Sequence, residues 1–267
     1  MPVESTVTPA PLPDAHAPPR GSHAVDGPAI IRALLGWYQA HARTLSWRAP
    51  PGAKARPDPY HVWLSEVMLQ QTTVVAVTPY FTRFTQRWPT LAALASAEPA
   101  DILAAWAGLG YYSRARNLIA CAAAVAREHD GRLPADEAAL RQLPGIGAYT
   151  AAAIAAFAFG ADSIPLDANL DRVIARLCAI ETPLPQARRE IAAAAAAIWP
   201  RDGSGGDVAQ AMMDLGASLC SARSPDCTAC PLSRHCRAFA SGMQQAIPVK
   251  KPKAAKPHRY GRADWIT

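Results

Sequence analysis

Hydrophobic residues recur at intervals of three and four along most of this chain, which is the periodicity of amphipathic helices. The first series runs through Ile30, Leu34 and Tyr38 and predicts a helix from Ala29 onward. The same pattern predicts further helices over residues 60–75, 79–87, 90–95, 99–107, 113–129, 136–142, 148–159, 168–179, 186–198 and 207–219. No run of alternating β-branched residues is long enough for a sheet, so the predicted fold class is all-α.

The two ends of the chain lack this pattern. Residues 1–28 contain seven prolines and no apolar periodicity, which predicts a disordered leader. Residues 248–267 are expected to form a basic tail or linker. Six Lys and Arg against one Asp there account for five of the six net positive charges. The rest of the chain is nearly neutral, so its charge alone does not indicate nucleic-acid binding.

Length and composition exclude several classes of protein. With 267 residues, of which 50% are hydrophobic, the chain can bury one large core or two modest ones. No stretch approaches the roughly 20 uninterrupted apolar residues that a membrane-spanning helix needs. Residues 1–28 also lack the basic start and apolar run of an export signal. We therefore expect a soluble, cytoplasmic protein.

Four of the six cysteines lie within 17 residues, in the pattern C-x6-C-x2-C-x5-C. In a cytoplasmic chain this clustering indicates metal ligation more than disulfides. Structural zinc sites usually contain two C-x-x-C pairs, and this loop has one, so the spacing favours an iron–sulfur cluster over zinc. The predicted ligands are Cys220, Cys227, Cys230 and Cys236. Cys121 and Cys178 stand among apolar residues and are expected to be packed thiols.

Glu66 lies in a predicted helix that is apolar on most of its faces, within the segment HVWLSEVMLQQTT of residues 61–73. Burial would keep its carboxyl group protonated above the usual pKa, as a general acid requires. A buried Glu that is satisfied by an Arg or by a helix end would give the same local pattern.

Two further segments place polar groups at helix starts. In Leu143–Gly147 (LPGIG), Gly145 and Gly147 allow positive φ, so that backbone N–H groups can grip a phosphate at the start of the next helix. A plain helix-turn-helix is the alternative. Asp167 directly precedes a helix and is predicted to be its N-cap. The backbone hydrogen bonds of an N-cap would also keep its carboxylate ionised, so that this anion could stabilise a cation in a pocket.

A second glycine turn, GLGYYSR over residues 108–114, places two tyrosines and a cation after a tight bend. Aromatic rings at such a tip can wedge between stacked bases. The local sequence by itself favours simple packing of these rings.

Together these motifs resemble the helix-hairpin-helix DNA glycosylase superfamily, and within it the MutY-type adenine DNA glycosylases, from about Leu45 to about Val249. The most specific matches are SEVMLQQT (65–72), GLGYY (108–112), QAMMDLG (210–216) and the cysteine loop. The resemblance implies a two-lobed fold. Residues 58–164 would form a helical body with the hairpin, and residues 29–57 with 165–247 would form a second lobe with the iron–sulfur loop.

The resemblance also implies roles for individual residues. Glu66 matches the glutamate that protonates adenine at N7, and Asp167 matches the aspartate that stabilises the sugar cation. Tyr149 and Asn169 match residues that support this pair. The expected DNA contacts are Leu69 in the base pocket, Gln71 and Tyr111 as wedges, and Thr72, Gly145 and Gly147. The four clustered cysteines would hold a 4Fe-4S cluster.

The implied reaction is hydrolysis of adenine mispaired with 8-oxoguanine or guanine in double-stranded DNA, during base excision repair. Relatives that resemble endonuclease III and cut the strand carry lysine two residues after the second hairpin glycine, where this sequence has Tyr149, so a monofunctional enzyme is expected. We also expect a monomer. The alternatives are a glycosylase of another mismatch specificity and a non-catalytic iron–sulfur DNA-binding module.

Two departures from the family accompany this resemblance. Ala168 replaces a usual glycine and would be strained if that position needs positive φ. Family members usually continue into a domain that recognises 8-oxoguanine, whereas this sequence ends at Thr267 after the basic segment, so a short or truncated form is expected.

Overall fold

The computed structural model describes residues 26–251, and within this range the chain is all-α, as predicted. The described residues contain no β-strand, and one isolated parallel bridge joins Leu184 to Lys250. The predicted leader up to residue 25 and the tail from residue 252 lie outside the described residues. The helices are α1 (Gly27–His41), α2 (Pro59–Leu69), α3 (Val74–Arg87), α4 (Leu91–Ala95), α5 (Pro99–Trp106), α6 (Tyr112–Glu128), α7 (Glu137–Leu140), α8 (Ala148–Phe159), α9 (Ala168–Cys178), α10 (Arg188–Ile198), α11 (Gly205–Ala217) and α12 (Arg237–Ala240).

The first helix begins two residues earlier than its apolar pattern predicts. The Asp26 carboxylate accepts a hydrogen bond from the Ala29 N–H at 3.0 Å, and a proline follows within the first turn. Asp26 is therefore an N-cap, and Pro28 belongs to the helix rather than to the leader.

The prediction of one helix over residues 60–75 is wrong. The chain leaves the helix after Leu69, and Gln71 adopts a left-handed φ of 56°. Helix α3 then begins at Val74, where the Thr73 hydroxyl accepts a hydrogen bond from the Ala76 N–H at 3.3 Å. Pro79 lies inside α3 instead of starting it. The apolar pattern continues through the break, so periodicity alone could not locate it.

The helices pack in two groups that meet along α8 and α11. Helix α2 packs against α3, α6 and α8, while α4 and α5 pack on α6 and α7 packs on α8. In the other group α1 packs against α10 and α11, and α9 packs against α10, α11 and α12. This grouping is compatible with the expected lobes, whose boundaries stay a prediction.

Small side chains bring α2 and α8 close together. Alanines occupy every buried position of α8 from Ala151 to Ala156 except that of Ile154. Helix α2 packs against α8, and its Trp63, Leu64 and Met68 are completely buried. Such a core holds the α2 backbone rigidly because close-packed interiors leave few voids. In the range 26–251, every helix is too short or too polar to cross a lipid bilayer.

Candidate active site

A cavity of about 390 Å³ opens where the two groups of helices meet. Glu66 from α2, Tyr149 from α8, and Asp167 and Asn169 at the start of α9 all line it. Four residues whose roles were inferred from the resemblance thus share one space, although the sequence separates them widely. The other lining residues are Arg43, Leu45, Trp47, Arg48, Val62, Ser65, Leu69, Gln70, Val74, Phe157, Ala168, Gln210, Met213 and Ala217.

Glu66 is buried in the wall of this cavity, with 8% of its surface exposed. Burial raises the pKa of its carboxyl group to about 7, because an apolar environment disfavours the charged form. The Tyr149 hydroxyl and the Arg48 cation act in the opposite direction, while the negative charge of Asp167 raises the pKa further. A carboxyl group with this pKa can donate a proton near neutral pH.

Asp167 is the N-cap of α9, as its position in the sequence predicts. One carboxylate oxygen accepts hydrogen bonds from the Asn169 N–H at 2.9 Å and the Leu170 N–H at 2.7 Å. The other oxygen accepts one from the Asn169 side-chain amide at 2.7 Å. Ala168 is the first residue of the helix and has no positive φ, so the condition for strain at this position is not met.

Arg172 connects this carboxylate to the cysteine loop. Its guanidinium donates to the Asn169 side-chain oxygen at 2.9 Å, to the Gly216 carbonyl at 2.6 Å and to the Cys220 carbonyl at 2.7 Å. A Cβ atom on Gly216 would lie 2.7 Å from the Asn169 Cβ, so only glycine permits this approach. No motif in the sequence around Arg172 indicates this role.

The hairpin between α7 and α8 uses its two glycines differently. Gly145 has a φ of 75°, and a Cβ there would lie 2.6 Å from the Asn117 Cβ. Gly147 has an ordinary φ of −86° and caps α8 without a side-chain hydrogen bond. The expectation that both glycines serve positive φ therefore holds for Gly145 alone. The exposed start of α8 leaves backbone N–H groups without a side-chain acceptor, as an anion site requires.

Gln71 and Tyr111 project from two turns at the surface. Both are non-glycine residues in the left-handed region, with φ values of 56° and 49°. Tyr111 is 60% exposed, so the interpretation of simple packing is wrong for this ring. Leu69 reaches the cavity from the end of α2, and the Thr72 hydroxyl donates to the Gln70 carbonyl at 3.2 Å.

The four clustered cysteines line one small cavity beside α9, together with Arg176. Arg176 is almost completely buried and donates to the Cys220 Sγ at 3.2 Å. Burial, together with the charges of the other three clustered thiols, raises the thiol pKa of Cys230 to about 11. Among residues 26–251, no three His, Cys, Asp or Glu side chains are arranged to hold a single metal ion. Four cysteines that line one cavity beside a buried cation are a donor set suited to a group with four thiolate ligands.

The two remaining cysteines lie in packed surroundings. Cys121 on α6 is buried and Cys178 at the end of α9 is partly buried. Burial raises the pKa of the Cys121 thiol to about 12 and also raises that of Cys178. Both agree with the predicted packed thiols.

A family model described as "HhH-GPD superfamily base excision DNA repair protein" matches residues 64–201, which is more than half of the chain. The chain belongs to the HhH-GPD superfamily. It is 44% identical over 209 residues to the adenine DNA glycosylase of Mycolicibacterium smegmatis, covering 78% of this chain and 69% of that protein. It is 42% identical over 214 residues to the human adenine DNA glycosylase, covering 79% of this chain and 39% of that protein. The chain thus spans less than half the length of the human relative.

Solved structures agree with this membership. A thermostable thymine-DNA glycosylase matches with a TM-score of 0.71 and 27% identity, over 80% of this chain and 97% of that one. A non-covalent endonuclease III–DNA complex matches with a TM-score of 0.65 and 23% identity, over 80% and 95%, which shows a shared fold. The expected all-α HhH-GPD fold is therefore confirmed.

This HhH-GPD chain also contains an ion-pair network beside the cavity that its motifs do not predict. Asp214 on α11 is buried and accepts hydrogen bonds from the Arg43 N–H at 3.0 Å and from the Arg43 and Arg48 side chains at 2.7 and 2.9 Å. Arg48 thereby lines the cavity and lowers the Glu66 pKa. The signal available in the sequence was an acidic residue inside the apolar QAMMDLG segment, because a buried Asp needs cationic partners.

Proposed function

We propose that this chain is a monofunctional adenine DNA glycosylase that acts on adenine mispaired with 8-oxoguanine or guanine in double-stranded DNA. The cavity that Glu66 and Asp167 share carries the proposal, because hydrolysis of an N-glycosidic bond needs an acid and an anion beside one sugar–base bond. Relatives named adenine DNA glycosylase, at 44% and 42% identity, favour adenine over thymine, since the thymine-DNA glycosylase structure is 27% identical.

The proposed reaction has two steps. Glu66 donates its proton to the adenine ring, the bond between sugar and base breaks, and its electron pair leaves with the adenine. Asp167 stabilises the cationic sugar through its negative charge. Water then adds its hydroxyl to the sugar carbon, and its proton returns to Glu66. Tyr149 and Asn169 position these two carboxyl groups through the contacts described above.

The target base must leave the helical stack before this chemistry can occur. Gln71 and Tyr111 are proposed to enter the duplex, since both project from surface turns. Leu69 would contact the extruded base, and Thr72 the DNA beside it. The Gly145–Gly147 turn would bind a phosphate through backbone N–H groups without reading sequence.

Tyr149 occupies the position where the strand-cutting relatives have lysine. A Schiff base needs an amine, and among residues 26–251 no lysine lines the cavity. We therefore expect base release without strand cleavage, by a monomer that acts on DNA in the cytoplasm. A labelled duplex, analysed with and without hot alkali, separates the two activities, and cleavage without alkali would contradict the assignment.

The four clustered cysteines are proposed to hold a 4Fe-4S cluster, which would cross-link residues 220–236 and hold this loop against α9. We expect an absorption band at about 400 nm that bleaches when iron is removed, because iron–sulfur clusters are coloured and bound zinc is not. A colourless, folded protein that contains one zinc ion per chain would contradict the cofactor.

Release of free adenine or thymine from three duplexes, A:8-oxoG, A:G and T:G, tests the function as a whole. We expect release of adenine from the first two and none from the third. Release from T:G alone would support a glycosylase of other specificity. A protein that binds the mispaired duplexes but releases no base would support the non-catalytic module. In an active parent, Glu66→Gln should bind mispaired DNA and release no adenine.

A further inference from the structure

Arg114 occupies a position that is unfavourable for a cation. It is the third residue of α6, and the first turn of a helix presents the positive end of the helix dipole. Its side chain is also buried, with 6% of the residue exposed, and burial lowers the pKa of the guanidinium. Specific contacts must offset both costs.

The guanidinium of Arg114 joins two separate segments of the backbone, with one nitrogen for each. Nη1 donates to the carbonyls of Met68 at 2.5 Å and Val67 at 3.4 Å, at the end of α2. Nη2 donates to the carbonyls of Leu109 at 3.1 Å and Gly110 at 3.2 Å, in the turn before α6. The last carbonyls of a helix lack intrahelical partners, so a planar cation satisfies them well.

These two segments lead directly into the two exposed turns. Gln71 follows the end of α2, and Tyr111 follows Gly110. Both have left-handed φ values, which residues other than glycine adopt at a cost of about 1 kcal/mol or more. Such conformations persist only where the surroundings impose them. The Arg114 guanidinium also lies 5.4 Å from the ring centres of both Tyr111 and Trp106.

We propose that Arg114 is a positioning residue that fixes the turns of Gln71 and Tyr111 relative to each other, so that both side chains enter the duplex together. This inference rests on the proposed function. Arg114 is buried and acts through the backbone carbonyls that it binds. Its loss therefore impairs extrusion of the base and leaves proton donation by Glu66 intact.

The test compares the rates at which the same target adenine is released from two DNA substrates in single-turnover assays. One duplex contains an A:8-oxoG mispair, and the other contains the adenine in an unpaired loop, where extrusion costs less. Arg114→Lys keeps the charge but replaces the planar guanidinium, which donates to both backbone segments, by a single ammonium group. Arg114→Met removes the donors altogether. Arg127→Met is the matched control, because Arg127 is on the same helix and its side chain is 69% exposed.

We expect Arg114→Lys to slow release from the mispair by about tenfold to a hundredfold, the effect of losing a charge-assisted hydrogen bond. Release from the loop should change by less than about threefold, and Arg127→Met should change neither rate. Fluorescence of 2-aminopurine placed next to the target should rise less on binding to Arg114→Lys than to the parent. If Arg114→Met does not fold, the release rates of Arg114→Lys and the fluorescence measurement still test the proposal.

Equal losses on both substrates would show that Arg114 only maintains the fold and would overturn the proposal. Unchanged rates on both would also overturn it. A parent that releases no adenine from either substrate indicates failure of the proposed function instead. The 2-aminopurine signal then tests Arg114 independently of base release, and an equal rise for parent and variant would reject the proposal.

Discussion

At the scale of single residues, two carboxyl groups in one cavity have opposite surroundings. Glu66 is buried in the cavity wall, and this burial raises its pKa to about 7. Asp167 faces three hydrogen-bond donors from Asn169 and Leu170, a suitable environment for an anion. These surroundings support the proposed roles of Glu66 as proton donor and Asp167 as the anion beside the sugar.

The raised pKa of Glu66 predicts the pH dependence of adenine release. The proton is present below a pH of about 7 and is lost above it, so the single-turnover rate should fall about tenfold per pH unit above that value. Rates measured from about pH 5.5 to 9 check this prediction, with DNA affinity measured in parallel as the control. A rate that stays constant from about pH 6 to 9 would contradict Glu66 as the acid.

The same pKa predicts a stability effect of Glu66→Gln. The usual pKa is 4.5, so between 4.5 and about 7 the folded state binds more protons than the unfolded state. Parent stability therefore falls with rising pH in this window, whereas the Gln variant has no such dependence. At pH 8 we expect the variant to have the larger free energy of unfolding, by at most about 3 kcal/mol. Urea unfolding at about pH 4 and 8 measures the difference, which should vanish at the lower pH.

At the scale of elements, the hairpin before α8 shows how one turn can depend on one glycine. The turn brings Gly145 against Asn117 of α6, so both its φ and its surroundings exclude a side chain. Gly147, two residues later, has open space at the Cβ position and an extended backbone. The two glycines form a matched pair of test sites within one motif.

Gly145→Ala should lower the free energy of unfolding by about 2 kcal/mol or more, from left-handed strain and the clash with Asn117. Gly147→Ala should change it by less than about 1 kcal/mol, because the backbone there suits alanine. Urea unfolding and DNA affinity measured for both variants check the prediction. Equal effects would mean that the turn does not depend on the conformation of Gly145.

At the scale of the whole molecule, the Asp214 network fastens the segment before α2 onto α11. Arg43 and Arg48 lie at least 166 positions from Asp214 in the chain, so these contacts join distant segments beside the cavity. Asp214 and Arg48 have exposed side-chain fractions of 2% and 11%, whereas Arg43 is 40% exposed and more screened by water. The network therefore contributes to the shape of the cavity as well as to stability.

Asp214→Asn should lower the free energy of unfolding by about 2 to 4 kcal/mol, because it leaves the buried cation of Arg48 without its partner. Because Arg43 is partly exposed, we expect a smaller loss in the free energy of unfolding than for a fully buried ion pair. Asp101→Asn is the control, since its ion pair with Arg87 is about half exposed and is worth less than about 1 kcal/mol. Urea unfolding of the two variants checks the contrast, and similar losses would contradict it.

Helices and caps could be predicted from the sequence, whereas the break between α2 and α3 and the contacts between distant segments could not. The helices from α4 to α11 agree with their apolar patterns to within about two residues, and Asp167 is the cap that its position predicts. The break between α2 and α3 was missed because apolar residues continue across it while Gln71 turns the backbone. Arg48, Arg114 and Arg172 were also missed as partners, since each acts through groups that belong to other elements.

The amino-acid sequence by itself determined most of the helices, the glycine turn of the hairpin and the burial of the helix that carries Glu66. These features arise from neighbours within one or two helical turns, so local periodicity and capping suffice. Only the tertiary structure decided that Glu66 and Asp167 line one cavity and that single arginines join distant backbone segments. Such contacts depend on how the helices pack against one another, and packing is a property of the assembled core that no short window of sequence contains.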